Sequence, residues 1–420
     1  MNSGRPKITI AIPTRERAKY LRYSLQTALQ VEDDDLEIVV SDNASSDETE
    51  KVVGEFNDRR LKYVNTGRRV SMRQNFEFAL STSTGDYVMF IGDDDGVIPQ
   101  QFRALRQILT HERPDGLSWP LINYGWRSPD NNARGGFRLI NNNLFGTITK
   151  FDNVGNTRKL LAGPSGELPP LPRIYHGCAS RAFLDRARTP DGEYFGGAIP
   201  DVYFSFQATM EGGTFLYVQH PFSVNGSSAA TTGGAHKGRV GSDTGDSAGR
   251  AFTSEIAQDH KQDVVDHAFS LPLVLFSTLE TVRRQKGIDV PNPDYLAWYR
   301  YILSSTSREN TALRNQVNKV LSHYSEKTNS QKEWAVAKMT ASRLRWRLNR
   351  LVMRLNGIGP KLKSVRLDAT VGGENTILSA VNLIDAVLDD DFHQILQGFQ
   401  TKDSAWKNVV RRARPFPRQL

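Results

Sequence analysis

Three consecutive aspartates, Asp93, Asp94 and Asp95, follow a short apolar run and are bracketed by Gly92 and Gly96. Like charges this close repel and raise each other's pKa unless a cation offsets them. A hard divalent ion, Mg²⁺ or Mn²⁺, does so with one or two carboxylates and completes its shell from a substrate phosphate. The bland alternative is a solvated acidic turn. A strand before, a glycine on each side and Pro99 opening a helix after favour the cation-holding reading. Asp42 ends another apolar run, Leu36–Ser41, and is placed to accept hydrogen bonds from a nucleobase, unless it only shapes the turn. Asp47, a few residues on, reads as a helix cap. Asp201 opens the apolar stretch Val202–Met210. It suits a general base that deprotonates a hydroxyl, or a helix N-cap, and one acid can do both. Between the first two acids lie Arg68, Arg69, Arg73 and Asn75.

These side chains need elements to hold them. Ile8–Pro13 is a β-branched run stopped by proline, as in a buried strand. The spacing then predicts helix over Arg15–Gln30, strand over Leu36–Ser41, helix over Asp47–Phe56, strand over Leu61–Asn65 and helix over Met72–Ser81. Strand Asp86–Ile91 and helix Pro99–Thr110 follow. Such alternation makes a parallel sheet with helices on both faces. Open α/β sheets bind ligands at the carboxyl ends of their strands, which is where both acid groups fall. Asn123–Gly166 reads as loops or irregular strands. Ser223–Gly249, dominated by Ser, Thr, Gly and Ala, reads as a mobile loop or linker. Beyond it the pattern is helical: Val264–Lys286, Asp294–Ser305, Glu309–Ser325, Gln331–Asn356 and Glu374–Gln400. The boundary is therefore placed at Gly249, giving units 1–249 and 250–420.

Composition narrows the class. With 38% hydrophobic and 24% charged residues among 420, the chain can bury a normal core and is not globally disordered. No apolar run approaches the roughly 18–20 residues of a membrane span. One cysteine, Cys178, excludes an internal disulfide and a cysteine zinc site, and reads as a small buried hydrophobe. A reducing, cytoplasmic setting follows. The net charge of +8 lies entirely beyond Arg250, because Lys and Arg balance Asp and Glu up to that point.

The order IPTRERAKYL, VVSDNASSDET and NFEFALSTSTGDYVMFIGDDDGVIP resembles the nucleotide-sugar glycosyltransferases of family 2, with their GT-A fold. The resemblance runs over about Lys7–Gly238 and is strongest in the first 110 residues. It implies a GT-A-type, Rossmann-like, mostly parallel α/β sheet, followed here by a smaller all-helical C-terminal region. It places Pro13, Thr14 and Arg15 beside the nucleotide, Asp42 with Asn43 at the base, and a D-x-D metal element on Asp93, Asp94 and Asp95. Many members read Asp-x-Asp-Asp, whereas this chain has Gly92 in the first position, so the metal pair stays open. Asp201 matches the acceptor-side acid, with Pro200 where a glutamate is common. Ile174–Arg181 resembles the strand that floors the acceptor site, where His176 is a structural histidine or a substrate contact. Val224–Gly234 resembles a loop that closes over donor phosphate, with His236 or Lys237 reaching the phosphate or the metal, and Arg73 assisting. The implied activity is inverting transfer of one hexosyl or N-acetylhexosaminyl unit, with Mn²⁺ or Mg²⁺, from a nucleotide-sugar. Uridine is the commonest base by analogy, hence a UDP-sugar donor, and the acceptor is a hydroxyl of a glycan, a surface polysaccharide or a lipid-linked sugar.

Ser342–Asn356 carries Leu344, Leu348, Leu351 and Leu355 on one helical stripe, beside arginines. It suits peripheral contact with an anionic membrane on the cytoplasmic face, or packing of its leucine stripe within the protein or a second copy. Two competing classes are weaker. A nucleotidyltransferase needs a glycine-rich loop after the first strand, and Thr14–Ala18 has no glycine. A basic nucleic-acid-binding protein would interleave aromatics with its arginines, and Trp346 stands alone there.

Overall fold

The structure, a computed structural model, describes residues 4–127, 135–164, 168–228, 254–261, 264–266, 270–286, 290–306, 311–341 and 363–417. The first strands are β1 (Ile8–Thr14), β2 (Leu36–Asp42), β3 (Leu61–Asn65) and β4 (Tyr87–Phe90). They interleave with α1 (Ala18–Leu29), α2 (Thr49–Gly54), α3 (Met72–Ser81) and α4 (Phe102–Glu112). Next come β5 (Gly96–Val97), β6 (Gly116–Ser118), β7 (Ile122–Gly125), β8 (Gly136–Ile140), β9 (Ile148–Lys150), β10 (Gly177–Ser180), β11 (Phe215–Val218), β12 (Ser223–Ser227) and β13 (Ser364–Asp368).

Eight strands form one sheet in the order β3-β2-β1-β4-β10-β6-β11-β9. The pairs among β1 to β4 are parallel, and β10 runs antiparallel between β4 and β6. The expected GT-A-type architecture is what these strands form. Both faces are covered, and the side-chain alternation shows it. Ile8, Ile10 and Ile12 of β1, with Tyr87 and Met89 of β4, pack into one core with α1 and α4. Ala11, Val88 and Phe90 point the other way, into a core that holds α3 and the helix Pro200–Glu211. Burial on both sides explains why these strands are continuously apolar.

A second, five-stranded sheet has the order β13-β8-β7-β12-β5. Ser223–Ser227, read from sequence as the start of a loop, is the strand β12. It pairs with β7 and β5, so neighbours on both sides supply the order its own side chains cannot. The region after residue 249, expected as all helix, contains strand β13 as well, paired with β8. Its helices pack in two places. Leu271–Lys286, Tyr295–Ser305, Thr311–Lys327 and Gln331–Thr340 share the core of α3. Ile377–Leu388 and Lys402–Arg412 share the core of α1 and α4 on the opposite face. The basic stretch 342–356 lies outside the described residues. Among the described residues, no helix is long and apolar enough to cross a membrane.

Candidate active site

Register brings the predicted donor-side residues together. Thr14 is the partner of Asp42 across the β1–β2 ladder, and Asp42 is the partner of Asn65 across β2–β3. All three stand at the carboxyl ends of parallel strands. Asp42 is buried and takes four donors: the Ser45 N–H (3.1 Å) and Oγ (2.6 Å), Tyr63 Oη (2.7 Å) and Asn65 Nδ2 (3.1 Å). Burial, with the Asp42 carboxylate beside it, pushes the Tyr63 phenol up to about 12. Asn43 braces the loop that follows β3, donating from Nδ2 to the Val70 carbonyl and accepting from its N–H. Pro13 sits in register with Ser41.

The three aspartates have unequal parts. Asp95 is completely buried and is claimed from every side. Its Oδ2 accepts from the Gly92 N–H (2.6 Å) and Tyr175 Oη (2.5 Å), with His176 Nε2 at 3.1 Å. Its Oδ1 accepts from the Gly226 N–H at 2.7 Å. Burial alone would raise its pKa, but His176, Tyr175 and the Gly92 amide together hold it below the usual carboxylate range. The same contacts explain the glycine in the first position of the motif. A Cβ on Gly92 would come within 2.7 Å of Tyr175 Oη and 3.0 Å of Asp95 Oδ2. Gly226 must likewise lack a side chain, because Asp94's carbonyl presses against that position. The expectation of Asp95 as a metal ligand is thus at odds with its placement. Its lone pairs hold the turn together.

Asp93 and Asp94 are differently placed. Asp93 Oδ2 accepts from Thr14 Oγ1 at 2.8 Å, and its Oδ1 lies 3.0 Å from Arg17 Nη1. Asp94 Oδ2 accepts from Ser228 Oγ at 2.6 Å and more distantly from the Ser228 N–H at 3.3 Å. Burial, with the charges of Asp95 and Asp93, raises Asp94 to about 6. Burial works against the charge of Arg17, yet Asp93 and Asp94 outweigh it and raise its pKa. The chemistry of this donor set, two neighbouring carboxylates of which Asp94 is desolvated, fits a divalent ion on Asp93 and Asp94. Among the described residues no group of three His, Cys, Asp or Glu side chains is arranged to hold a metal. The remaining ligands would then be substrate oxygens. His236 lies outside the described residues, as does Lys237.

Asp201 lies in the first turn of the helix Pro200–Glu211, whose N-cap is Ile199, with proline at the start. Its carboxyl is desolvated and its pKa raised by that burial, with the local amides and His176 pulling it back. It interacts electrostatically with Tyr175, which also contacts Asp95. Tyr175 and His176 thus feel both Asp201 and Asp95 electrostatically. His176 itself is structural in this arrangement, with Nδ1 at 2.9 Å from Ser223 Oγ. Its backbone is left-handed (φ 49°), as are those of Glu16 (54°) and Ala44 (50°). Strained non-glycine residues gathered at one sheet edge are typical of functional sites.

Two placements were not foreseen. Arg73, expected to assist at phosphate, is 1% exposed and spent on structure. It grips Asp259 through Nε (2.9 Å) and Nη2 (2.6 Å), and reaches Glu193 and the Phe195 carbonyl through Nη1. Arg17 occupies the place by the acids instead. The signal was present in the sequence, since Arg15 and Arg17 both follow β1 directly, but nothing there tells which arginine turns toward Asp93. Cys178 is free and buried, as its apolar setting predicted.

A mostly parallel α/β sheet, with its polar residues at the ends of β1, β2 and β4, is the class this geometry defines. Residues 9–158 match the family described as Glycosyl transferase family 2. Two curated relatives align here. One is the GalNAc(5)-diNAcBac-PP-undecaprenol beta-1,3-glucosyltransferase of Campylobacter jejuni, 32% identical over 105 residues, 24% of this chain and 34% of that protein. The other is the abequosyltransferase RfbV of Salmonella typhimurium, 30% identical over 107 residues, 24% of this chain and 32% of that protein. The alignments thus span about a third of either relative. Among solved structures, TarS 1-349 of S. aureus in complex with UDP-GlcNAc is 14% identical, with 83% of this chain and 92% of that one covered, at a TM-score of 0.43.

Proposed function

We propose that the chain is an inverting, metal-dependent glycosyltransferase that moves one sugar from a nucleotide-sugar to a hydroxyl of a glycan or lipid-linked acceptor. One observation carries this reading: Asp93 and Asp94, with Thr14 and Arg17 beside them, stand at the same strand ends as Asp42. Both names of the aligned relatives are sugar transferases, and one acts on a lipid pyrophosphate-linked glycan.

The mechanism follows from charge. As the nucleoside diphosphate leaves, negative charge builds on its terminal phosphate oxygens. Arg17, held beside Asp93, is a resident cation at the acid turn that can face that charge. A divalent ion on Asp93 and Asp94 would supply further electrostatic stabilisation of the leaving group. Asp42, with Tyr63 and Asn65, forms the polar wall for the base, and Asn43 fixes the loop beside it. Asp201 takes the proton of the acceptor hydroxyl as that oxygen bonds to the anomeric carbon and the bond to the diphosphate breaks. Its raised pKa makes it a better base than an exposed aspartate. A single displacement inverts the anomeric centre.

The test is a panel of nucleotide-sugars, UDP-sugars first, measured for protection against thermal unfolding with and without Mn²⁺. Metal-dependent stabilisation by one donor is the expected outcome. Indifference to every member of the panel would sink the reading.

A further inference from the structure

Residues 254–261 lie across the strand-end edge and touch both halves of the candidate site. At one end Glu255 pairs with Arg15, in the turn after β1. In the middle, Ile256 packs with Ala198, with Met72 and Ile199 against them, at the foot of the helix that carries Asp201. At the other end Asp259 binds Arg73 in a fork and also takes Ser71 Oγ, the N-cap of α3.

These ties differ in strength. Arg73 and Asp259 have side chains 1% and 3% exposed, so water cannot compete for a two-point, charge-assisted contact. Arg15 and Glu255 are 32% and 18% exposed, in the regime where an ion pair is worth little and is readily exchanged. Of the two ion pairs, Arg73–Asp259 is thus the stronger tie and Arg15–Glu255 the weaker. Arg15 directly follows Thr14, which donates to Asp93. A diphosphate brought to that acid turn presents several anionic oxygens to the guanidinium that Glu255 holds.

We propose that Glu255 is a resident counter-anion for Arg15 that a nucleoside diphosphate displaces. This rests on the reading that Arg15 faces the donor. Glu255 is then a positioning residue acting through Arg15, and it lowers donor affinity by occupying the arginine in the empty site.

The experiment titrates UDP, GDP and the phosphate-free uridine and guanosine into the full chain with Mn²⁺, comparing wild type, Glu255→Gln, Arg15→Gln and the double variant. Glu255→Gln should bind whichever diphosphate the wild type accepts about three- to five-fold more tightly, the scale of a partly exposed ion pair. Its affinity for the matching nucleoside should not change. Arg15→Gln should bind the diphosphate more weakly, and adding Glu255→Gln to it should gain nothing. If Glu255→Gln binds the diphosphate no better than wild type while Arg15→Gln weakens it, the displacement idea is wrong and the donor reading survives. If Arg15→Gln binds as wild type does, Arg15 does not face the donor and the proposal falls with that assignment. If no nucleotide binds the wild type, the functional reading fails and takes this proposal with it.

Discussion

Arg17 Nη1 lies 3.0 Å from Asp93 Oδ1, so the acid turn carries a counter-charge drawn from the loop after β1. The side chains are 20% and 3% exposed, which puts the pair between a surface bridge and a buried one. Arg17→Gln removes the cation and leaves Asp93 beside Asp94 with less to offset their repulsion. The expected cost is roughly 2 kcal/mol of stability, below the 3–5 of a fully buried pair, read from urea unfolding. Loss of one charge-stabilising donor should lower the transfer rate by about 10²–10³-fold. Arg17→Lys should restore stability better than rate, because an ammonium cannot reproduce the fork of a guanidinium.

Asp94 makes the opposite prediction for stability. Its folded pKa, about 6, is above the ordinary 3.8, so its ionisation opposes folding. The contribution is fully favourable below about pH 4 and is lost as pH rises through 6, by up to about 3 kcal/mol. Asp94→Asn should therefore unfold at a higher temperature than wild type at pH 8, the two converging at pH 4. The same variant should lose any stabilisation by nucleotide plus Mn²⁺. A variant less stable at pH 8 would show that Asp94 is already neutralised in the free protein.

Much of this site was legible before the fold was seen. The strands β1 to β4 announce themselves because burial on both faces demands β-branched runs, and glycine or proline punctuates them. The acids at their ends were visible for the same reason. The second sheet was not, since Ser223–Ser227 offers only Val224 as an apolar residue and takes its order from β7 and β5. Strand Ser364–Asp368 and helix Lys402–Arg412 carry an equally weak signal, their few apolar residues diluted by charge. The division of labour among arginines and aspartates was hidden in a different way. Arg17 meets Asp93 across 76 positions and Arg73 meets Asp259 across 186, and no local pattern encodes such pairings.

Asp95 separates structure from chemistry within one motif. Asp95→Ala would strand the Gly226 amide in buried surroundings and the Gly92 amide and Tyr175 hydroxyl in partly buried ones. An unfolding cost of about 3–5 kcal/mol is expected. Asp94→Asn, in contrast, should leave the fold intact. Denaturant midpoints for the two variants, measured side by side at pH 7.5, check the assignment. Equal losses would mean that the turn shares its load evenly, and that Asp95 is no more structural than its neighbour.

Asp201 decides whether the second half of the site takes part in the reaction. Asp201→Asn keeps the side chain's size and removes its ability to accept a proton. The transfer rate should fall by about 10²–10⁴-fold, with donor affinity unchanged within about two-fold, as expected of an acid acting on the acceptor. A base works deprotonated, so the wild-type rate should fall as pH drops through the Asp201 pKa. Burial raises that pKa, and the acid limb should stand above the ordinary aspartate range. In Asp201→Asn the limb should vanish along with the activity it reports. A variant that keeps the same limb at a slightly lower rate would move the base elsewhere and leave Asp201 a residue of the helix's first turn.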